Sequence, residues 1–358
     1  MALYSELPGM DRVADVRILQ SQPLLTPAAL AAELPMTGQS EALIAHARTA
    51  AEDCLSGADS RLMVVVGPCS IHDPAAALDY AAQLYEQTRD FQQQLHIVLR
   101  VYFEKPRTVI GWKGLINDPN LDSSYRLNHG LHLARKLLLD VAELGLPAAT
   151  EFLDNTFGQY YAELISFGAI GARTVESQIH RQLASGLSMP VGIKNRTDGD
   201  IGVAIDAIRS AAHPHWFPSL THEGEPAALQ SSGNEHCYLI LRGGDRSGPN
   251  YSAEAVEAAL AMLRDAALPP GLVIDCSHGN SAKQPEKQAD VVSSIVQQME
   301  AGQRGIRGVM LESHLRDGRQ DVGDAALEYG MSITDACLSL ERTLPLLAQL
   351  ANAVARTQ

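Results

Sequence analysis

The sequence lacks most of the features that mark the common functional classes. Its longest purely apolar runs, such as Leu62 to Val66, are far shorter than the ~20 residues a membrane-crossing helix needs. The opening MALYSELPGMDR has no basic, apolar and small-residue zones of a secretion signal, so a soluble, cytoplasmic protein with no membrane partner is expected. Basic residues are in deficit: 28 Lys+Arg against 42 Asp+Glu give a net charge of −14. Affinity for a phosphate backbone needs clustered cations on a basic surface, which argues against nucleic acid as a partner. Five cysteines, at 54, 69, 237, 276 and 337, include no CxxC pair, which excludes a zinc ribbon and a disulfide framework. There is no GxxxxGK[ST], GxGxxG or GxSxG, and HEGEP at 222–226 has Pro226 where HExxH requires its second His. The P-loop, dinucleotide, serine-hydrolase and zincin readings lose their support.

What is present is alternation. The 358 residues are 46% apolar, enough to build one large domain. Short β-branched runs recur at Leu62–Val66, Ile97–Val101, Pro147–Thr150, Ala169–Ala172, Val191–Ile193, Tyr238–Leu241, Leu272–Ile274 and Gly308–Leu311. Each suits a buried parallel strand, and amphipathic helical stretches lie between most of them. Asp73–Pro74 reads as an N-cap and first helical residue. Eight strands alternating with helices predict an α/β fold, the (β/α)8 TIM barrel, over residues 61–358. Residues 1–60, helical around Thr26–Leu34 and Glu41–Cys54, form an N-terminal extension. The Pro-, His- and Gly-rich stretch 213–235 reads as an inserted β-hairpin.

In a barrel, catalytic groups come from the carboxyl ends of the strands. The first polar residues there are Cys69; Arg100, then Lys105 and Arg107; Glu151; Arg173; Lys194; Arg242; Asp275 and His278; and Glu312. A single Arg after a strand is more often a solvated loop charge. Six cations on one rim repel unless anions lie between them, so phosphate or carboxylate ligands are expected. Cys69, His278 and Glu312 follow strands one, seven and eight, neighbours once the barrel closes. Thiolate, imidazole and carboxylate suit one divalent ion such as Mn, Fe, Co or Zn, and Asp335 in SITDAC is a fourth candidate ligand. Asp335 is expected to open the last helix and reads equally as its N-cap; His278 reads equally as a satisfied loop histidine.

The strings GPCSIHD, YFEKPRTVIGWKGLINDP, GARTVESQIHR, LRGG, DCSHGNS and SITDAC, in that order over nearly the whole chain, closely resemble the type I 3-deoxy-D-arabino-heptulosonate 7-phosphate (DAHP) synthases. This is the aromatic amino-acid-sensitive group of phospho-2-dehydro-3-deoxyheptonate aldolases. The resemblance implies the first step of the shikimate pathway: phosphoenolpyruvate, D-erythrose 4-phosphate and water give DAHP and phosphate. It implies metal ligation by Cys69, His278, Glu312 and Asp335. Phosphoenolpyruvate would be bound by Arg100, Lys105, Arg173, Lys194 and Arg242, and the sugar phosphate by Arg107 and Thr108. Lys105 is then the candidate proton donor to the nascent alkoxide, its pKa lowered by neighbouring cations, and Glu151 the residue that orients the water.

The resemblance also implies a homo-oligomer, dimer or tetramer, with the N-terminal residues and the hairpin building an inhibitor site for an aromatic amino acid. Gly158, where the phenylalanine- and tyrosine-sensitive forms tend to carry Pro, leans that site towards tryptophan. One departure is KNRTDG, which places Arg196 where the family usually has Gly; a Gly there would serve backbone conformation, so the replacement bears on the path of this loop. Two rival readings are a related 3-deoxy-octulosonate 8-phosphate synthase, which lacks KPRT, and a non-catalytic aromatic amino-acid sensor, which would be expected to have lost some of these ligands.

Overall fold

The computed structural model describes residues 15–107, 110–323 and 326–357; Thr108 therefore lies outside the described residues. The chain runs α1 Pro27–Glu33, α2 Gly38–Ser56, β1 Leu62–Gly67, α3 Pro74–Gln87, β2 Leu95–Arg100, α4 Leu127–Glu143, β3 Ala148–Glu151, β4 Phe167–Ile170, α5 Gln178–Gly186 and β5 Val191–Lys194. It continues through α6 Gly202–Ala211, β6 Trp216–Leu220, β7 Pro226–Gln230, β8 Cys237–Leu241, α7 Ala253–Asp265, β9 Leu272–Asp275, α8 Gln288–Glu300, β10 Ile306–His314, β11 Leu338–Ser339 and α9 Leu340–Thr357. Strands β1, β2, β3, β4, β5, β8, β9 and β10 pair in that order, and β10 returns to β1. All these pairs are parallel, so the expected (β/α)8 barrel is closed.

Strand side chains alternate between two cores, as the pleat requires. Met63, Val65, Val98 and Val273 point into the barrel, where they form one buried cluster with Ala51, Cys54 and Leu55 of α2. Val64, Val66, Ile97 and Leu99 join the larger cluster beneath the helices. Helix α2 thus contributes to the barrel's own interior. The N-cap reading at α3 holds: Asp73 Oδ1 accepts from Ala75 N at 2.9 Å and Ala76 N at 3.2 Å, and Pro74 needs no acceptor.

Between β3 and β4, two 3-10 turns at Phe157–Tyr160 and Ala162–Leu164 stand in place of a long helix. The hairpin is present as antiparallel β6 and β7, turning through Gly224 at φ +80°. The fourth barrel strand begins and ends two residues earlier than its apolar run suggested, at Phe167–Ile170. Asp335 does not open the last helix: β11 intervenes and α9 starts at Leu340, so the carboxylate is free of a capping role there. Among the described residues, no helix is long and apolar enough to cross a membrane.

Candidate active site

The carboxyl ends of β1 and β10 lie side by side, with Gly67 opposite Glu312 in the register. That register brings together the residue two beyond Gly67 and the end of β10: ligand atoms of Cys69, Glu312 and Asp335 all lie within 4.8 Å of one another. Cys69 and Glu312 are buried. Burial first, and Glu312 second, push the Cys69 thiol up to about 11. His278, at the end of β9, faces the group through Glu312, its Nε2 3.7 Å from Oε1. Its Nδ1 is engaged by Ser277 Oγ at 2.7 Å and Asp275 Oδ2 at 2.9 Å, which orients Nε2 as the remaining ring nitrogen. The structure gathers three of the four expected ligands into one cluster and sets the fourth beside it.

Two cations touch this group. Arg100 is 1% exposed; it donates to Pro68 O at 3.0 Å, Cys69 O at 3.2 Å and Glu312 Oε1 at 3.0 Å, and its guanidinium stacks 3.6 Å from the centre of the Tyr102 ring. Only its Nη1 has no partner among the described residues. Lys105 donates from Nζ to Cys69 Sγ at 2.8 Å. Burial alone would lower the Lys105 pKa, but Cys69 and Glu312 outweigh it and hold the ammonium above its ordinary value. Within this group, then, the neighbouring anions act against the expected acidification and Arg100 acts in its favour. Its carboxylate neighbours are Glu312 and Asp335, and its cationic neighbour Arg100 is itself paired with Glu312.

Above the group opens a cleft of about 750 Å³, part of it open to solvent, bordered by Lys105, Arg107, Glu151, Arg173, Lys194 and Arg242, and by His278 and Asp335. Arg107 is steadied by a 2.7 Å bond from Nε to Trp112 O. Gly171 leaves room for Glu151, since a Cβ there would lie 2.1 Å from Glu151 Oε1. The cations do not all await external anions. Lys194 is paired with Asp275 at 2.9 Å, both side chains at most 4% exposed, and Arg242 lies 3.7 Å from Asp245. Arg173 has no side-chain hydrogen bond or ion pair to the described residues.

Asp275 was noted in the sequence as a strand-end residue without a role. It accepts from Lys194, His278 and, at 2.6 Å, Ser277 Oγ. Burial would raise its pKa, but His278 and Lys194 hold it well below the usual carboxylate range. Gln288, at the start of α8, also escaped notice: it brackets the Glu312 backbone, donating to its carbonyl and accepting from its N–H, both at 2.9 Å. Lys283, Thr197 and Thr334 border the cleft too. They lie several residues beyond a strand end, where counting polar residues after an apolar run does not reach.

The loop after β5 keeps a regular course despite Arg196. Among the described residues 194–199, only Gly199 has positive φ, at +107°, so position 196 does not demand glycine. Arg196 instead donates from Nε to Asp198 Oδ1 at 2.9 Å and from Nη1 to Glu176 Oε1 at 2.8 Å, and its hydrogen bonds hold Asp198 down at about 2.

A closed (β/α)8 barrel with a thiol–carboxylate group under a cation-lined mouth defines a class: barrel proteins equipped to hold a divalent metal beside small polyanions. Residues 38–347 match the DAHP synthetase I family, and the chain belongs to it. It is 54% identical over 341 residues to the Phe-sensitive phospho-2-dehydro-3-deoxyheptonate aldolase of Escherichia coli strain K12, covering 95% of this chain and 97% of that one. It is 51% identical over 346 residues to the Trp-sensitive enzyme of the same strain, covering 96% and 99%. The phospho-2-dehydro-3-deoxyheptonate aldolase structure from Francisella tularensis SCHU S4 superposes with a TM-score of 0.93 at 50% identity, covering 95% of this chain and 99% of that chain.

Proposed function

We propose that the chain is a DAHP synthase that joins phosphoenolpyruvate to D-erythrose 4-phosphate with uptake of water and release of phosphate. The observation that carries this reading is the meeting of Cys69, Glu312, Asp335 and Lys105 at the floor of a cleft bordered by Arg107, Arg173, Lys194 and Arg242. The donor set fits a divalent transition metal: one sulfur and two carboxylates within 4.8 Å, with the His278 Nε2 facing them and its Nδ1 held by Asp275, the outer-shell arrangement usual for a ligating His. Cys69, His278, Glu312 and Asp335 would hold the ion, and Mn, Fe, Co and Zn all suit them. Such an ion supplies Lewis-acid polarisation of the aldehyde oxygen.

The protein's own groups do the rest. Arg173, Lys194 and Arg242, with the free Nη1 of Arg100, take the carboxylate and phosphate of phosphoenolpyruvate; Arg107 takes the sugar phosphate, with Thr108 assigned to the same task by the resemblance. Binding both anions on one rim sets C3 of phosphoenolpyruvate against the aldehyde carbon. Lys105 carries a proton at Nζ beside the reacting centre and supplies it to the new alkoxide. Glu151, seated against Gly171, orients the water that adds at C2 before C–O cleavage releases phosphate. Phosphate release and DAHP formation from these two substrates test the reaction; turnover with arabinose 5-phosphate instead would favour the octulosonate synthase, and inhibitor binding without turnover the sensor.

The inhibitor site is read as the pocket between the Phe157–Tyr160 turn, α5 and the hairpin, bordered by Arg48, Gly158, Leu183, Phe217 and Leu229. Phe217, Leu183, Leu187, Met189 and Leu229 offer apolar surface for an aromatic side chain, and Arg48, Glu163 and Gln159 offer polar groups for its amino and carboxylate ends; Gly158 leans it towards tryptophan. Titration of activity against phenylalanine, tyrosine and tryptophan discriminates among the three. Exposed Trp216 on the hairpin and Ile18 and Leu19 before α1 support a homo-oligomer, dimer or tetramer. Five buried, unpaired cysteines accord with a reducing, cytoplasmic setting.

A further inference from the structure

We propose that Arg196 is a positioning residue that clasps the loops after β4 and β5 and so holds the phosphoenolpyruvate end of the cleft in register. The inference rests on the phosphoenolpyruvate reading of that end.

The carboxyl ends of β4, β5 and β8 carry one cation each: Arg173 three residues after β4, Lys194 as the last residue of β5, and Arg242 directly after β8. Arg173 has no side-chain partner among the described residues, so the course of its loop alone sets its position. Within that loop, Thr174 N donates to Gly171 O at 3.1 Å and Ser177 N to Thr174 O at 2.9 Å, which shapes the turn but does not tie it to its neighbour. Arg196 supplies that tie. Its Nη1 reaches Glu176, three residues after Arg173, while Nε and Nη2 fork onto Asp198, and Nη2 lies 3.9 Å from Asp200. Its own backbone closes the β5 loop, N–H to Asp200 O at 3.0 Å and carbonyl from Gly199 N at 2.9 Å. The next residue, Thr197, accepts at its carbonyl from Asp245 N at 2.7 Å and from Arg242 Nη1 at 3.5 Å. One arginine thus connects, directly or through its neighbour, the loops that carry all three cations. It also sets a positive charge among Glu176, Asp198 and Asp200, three carboxylates at the edge of an anion site.

The clasp is not what keeps the loop folded. Arg181 of α5 independently joins Val175 O at 3.0 Å and Val203 O at 3.4 Å, so loss of Arg196 shifts substrate binding ahead of stability. A guanidinium can fork across two carboxylates where an ammonium cannot, so lysine restores the charge and only part of the clasp.

The test measures phosphoenolpyruvate Kd by calorimetry, which needs no turnover, alongside KM and kcat for both substrates and Tm. It uses the full-length wild type, R196A, R196G, R196K, E176Q and R196A/E176Q, with R209A as an exposed-arginine control on α6. R196A and R196G are expected to raise Kd and KM for phosphoenolpyruvate about three- to tenfold, the range of roughly one kcal/mol. The sugar-phosphate KM, kcat and Tm stay near wild type, R196K lies between, and the double variant is no worse than R196A. An unchanged phosphoenolpyruvate Kd in R196A, additive effects of R196A and E176Q, or a loss confined to kcat and Tm would overturn the proposal while leaving the synthase reading intact. A wild type that binds no phosphoenolpyruvate sinks both.

Discussion

Asp275→Asn is the substitution whose cost the geometry defines best. The carboxylate is 1% exposed and lies 2.9 Å from Lys194 Nζ, itself 4% exposed, with His278 Nδ1 at 2.9 Å on the same oxygen. At an effective dielectric of about 20, two unit charges at this separation attract by roughly 6 kcal/mol. Asparagine keeps the shape and one acceptor but leaves the Lys194 ammonium buried without its counter-charge, a loss of about 3–5 kcal/mol when one partner of a buried pair is removed. Urea unfolding followed by circular dichroism, in chelator, reads this directly as a fall in midpoint at constant slope. The double variant K194M/D275N removes both charges and is expected to regain much of the loss, because no buried charge is then left without its counter-charge while the amide can still accept from Ser277 Oγ. Phosphoenolpyruvate should stabilise D275N more than the wild type in free-energy terms, since its anions meet an uncompensated lysine. A D275N loss below about 1 kcal/mol, or a double variant as unstable as D275N, would refute the reasoning.

Three further outcomes follow from the same geometry. Cys69→Ala removes the sulfur donor and is expected to abolish metal-dependent turnover and stoichiometric metal uptake by the chelator-treated protein, measured by elemental analysis after add-back. Gly171→Ala places a Cβ 2.1 Å from Glu151 Oε1; kcat should fall at least tenfold, on the order of the 10²-fold cost of a 1 Å misplacement, and steady-state assays check it. His96 and His314 are both held down to about 4, chiefly by burial. The unfolded chain therefore takes up protons near 6.5 that the folded one refuses until about 4, so their stabilisation is complete above 6.5 and lost as pH falls towards 4, about 3 kcal/mol each. Urea midpoints from pH 7 to 4.5 should fall less steeply for His314→Gln than for the wild type.

The barrel was legible because each strand is buried on both faces and so spells an unbroken apolar run. Strand ends were legible for the same reason, since the first charge after each run marks the rim, and that rule found Glu312, Lys194 and Arg242. It was blind to pairing. Lys194 and Arg242 read as free cations awaiting phosphate, yet Asp275 answers the first from the end of β9, two strands away, a relation set by barrel closure, and Asp245 lies near the second from three residues further along the same loop. The surroundings of Lys105 were only half legible on the same ground: Arg100 is close to it, as the strand-end reading implied, but Cys69 and Glu312, from the ends of β1 and β10, are at hand as well. Asp335 was read as a fourth candidate ligand and equally as the N-cap of the last helix; β11 lies between it and α9, and its carboxylate lies with Cys69 and Glu312. Arg196 defied explanation as a replacement for glycine because its partner Glu176 sits 20 residues away on another loop.

The central claim is that this barrel makes DAHP through the group formed by Cys69, His278, Glu312 and Asp335, and one assay tests it most directly. Phosphate release and DAHP formation from phosphoenolpyruvate and D-erythrose 4-phosphate are measured for the protein as isolated, after exhaustive chelation, and after add-back of Mn, Fe, Co or Zn. The account predicts turnover that disappears on chelation and returns with at least one of these ions in the wild type but with none in the Cys69→Ala variant. Full activity after chelation, or equal restoration of the variant, would contradict it.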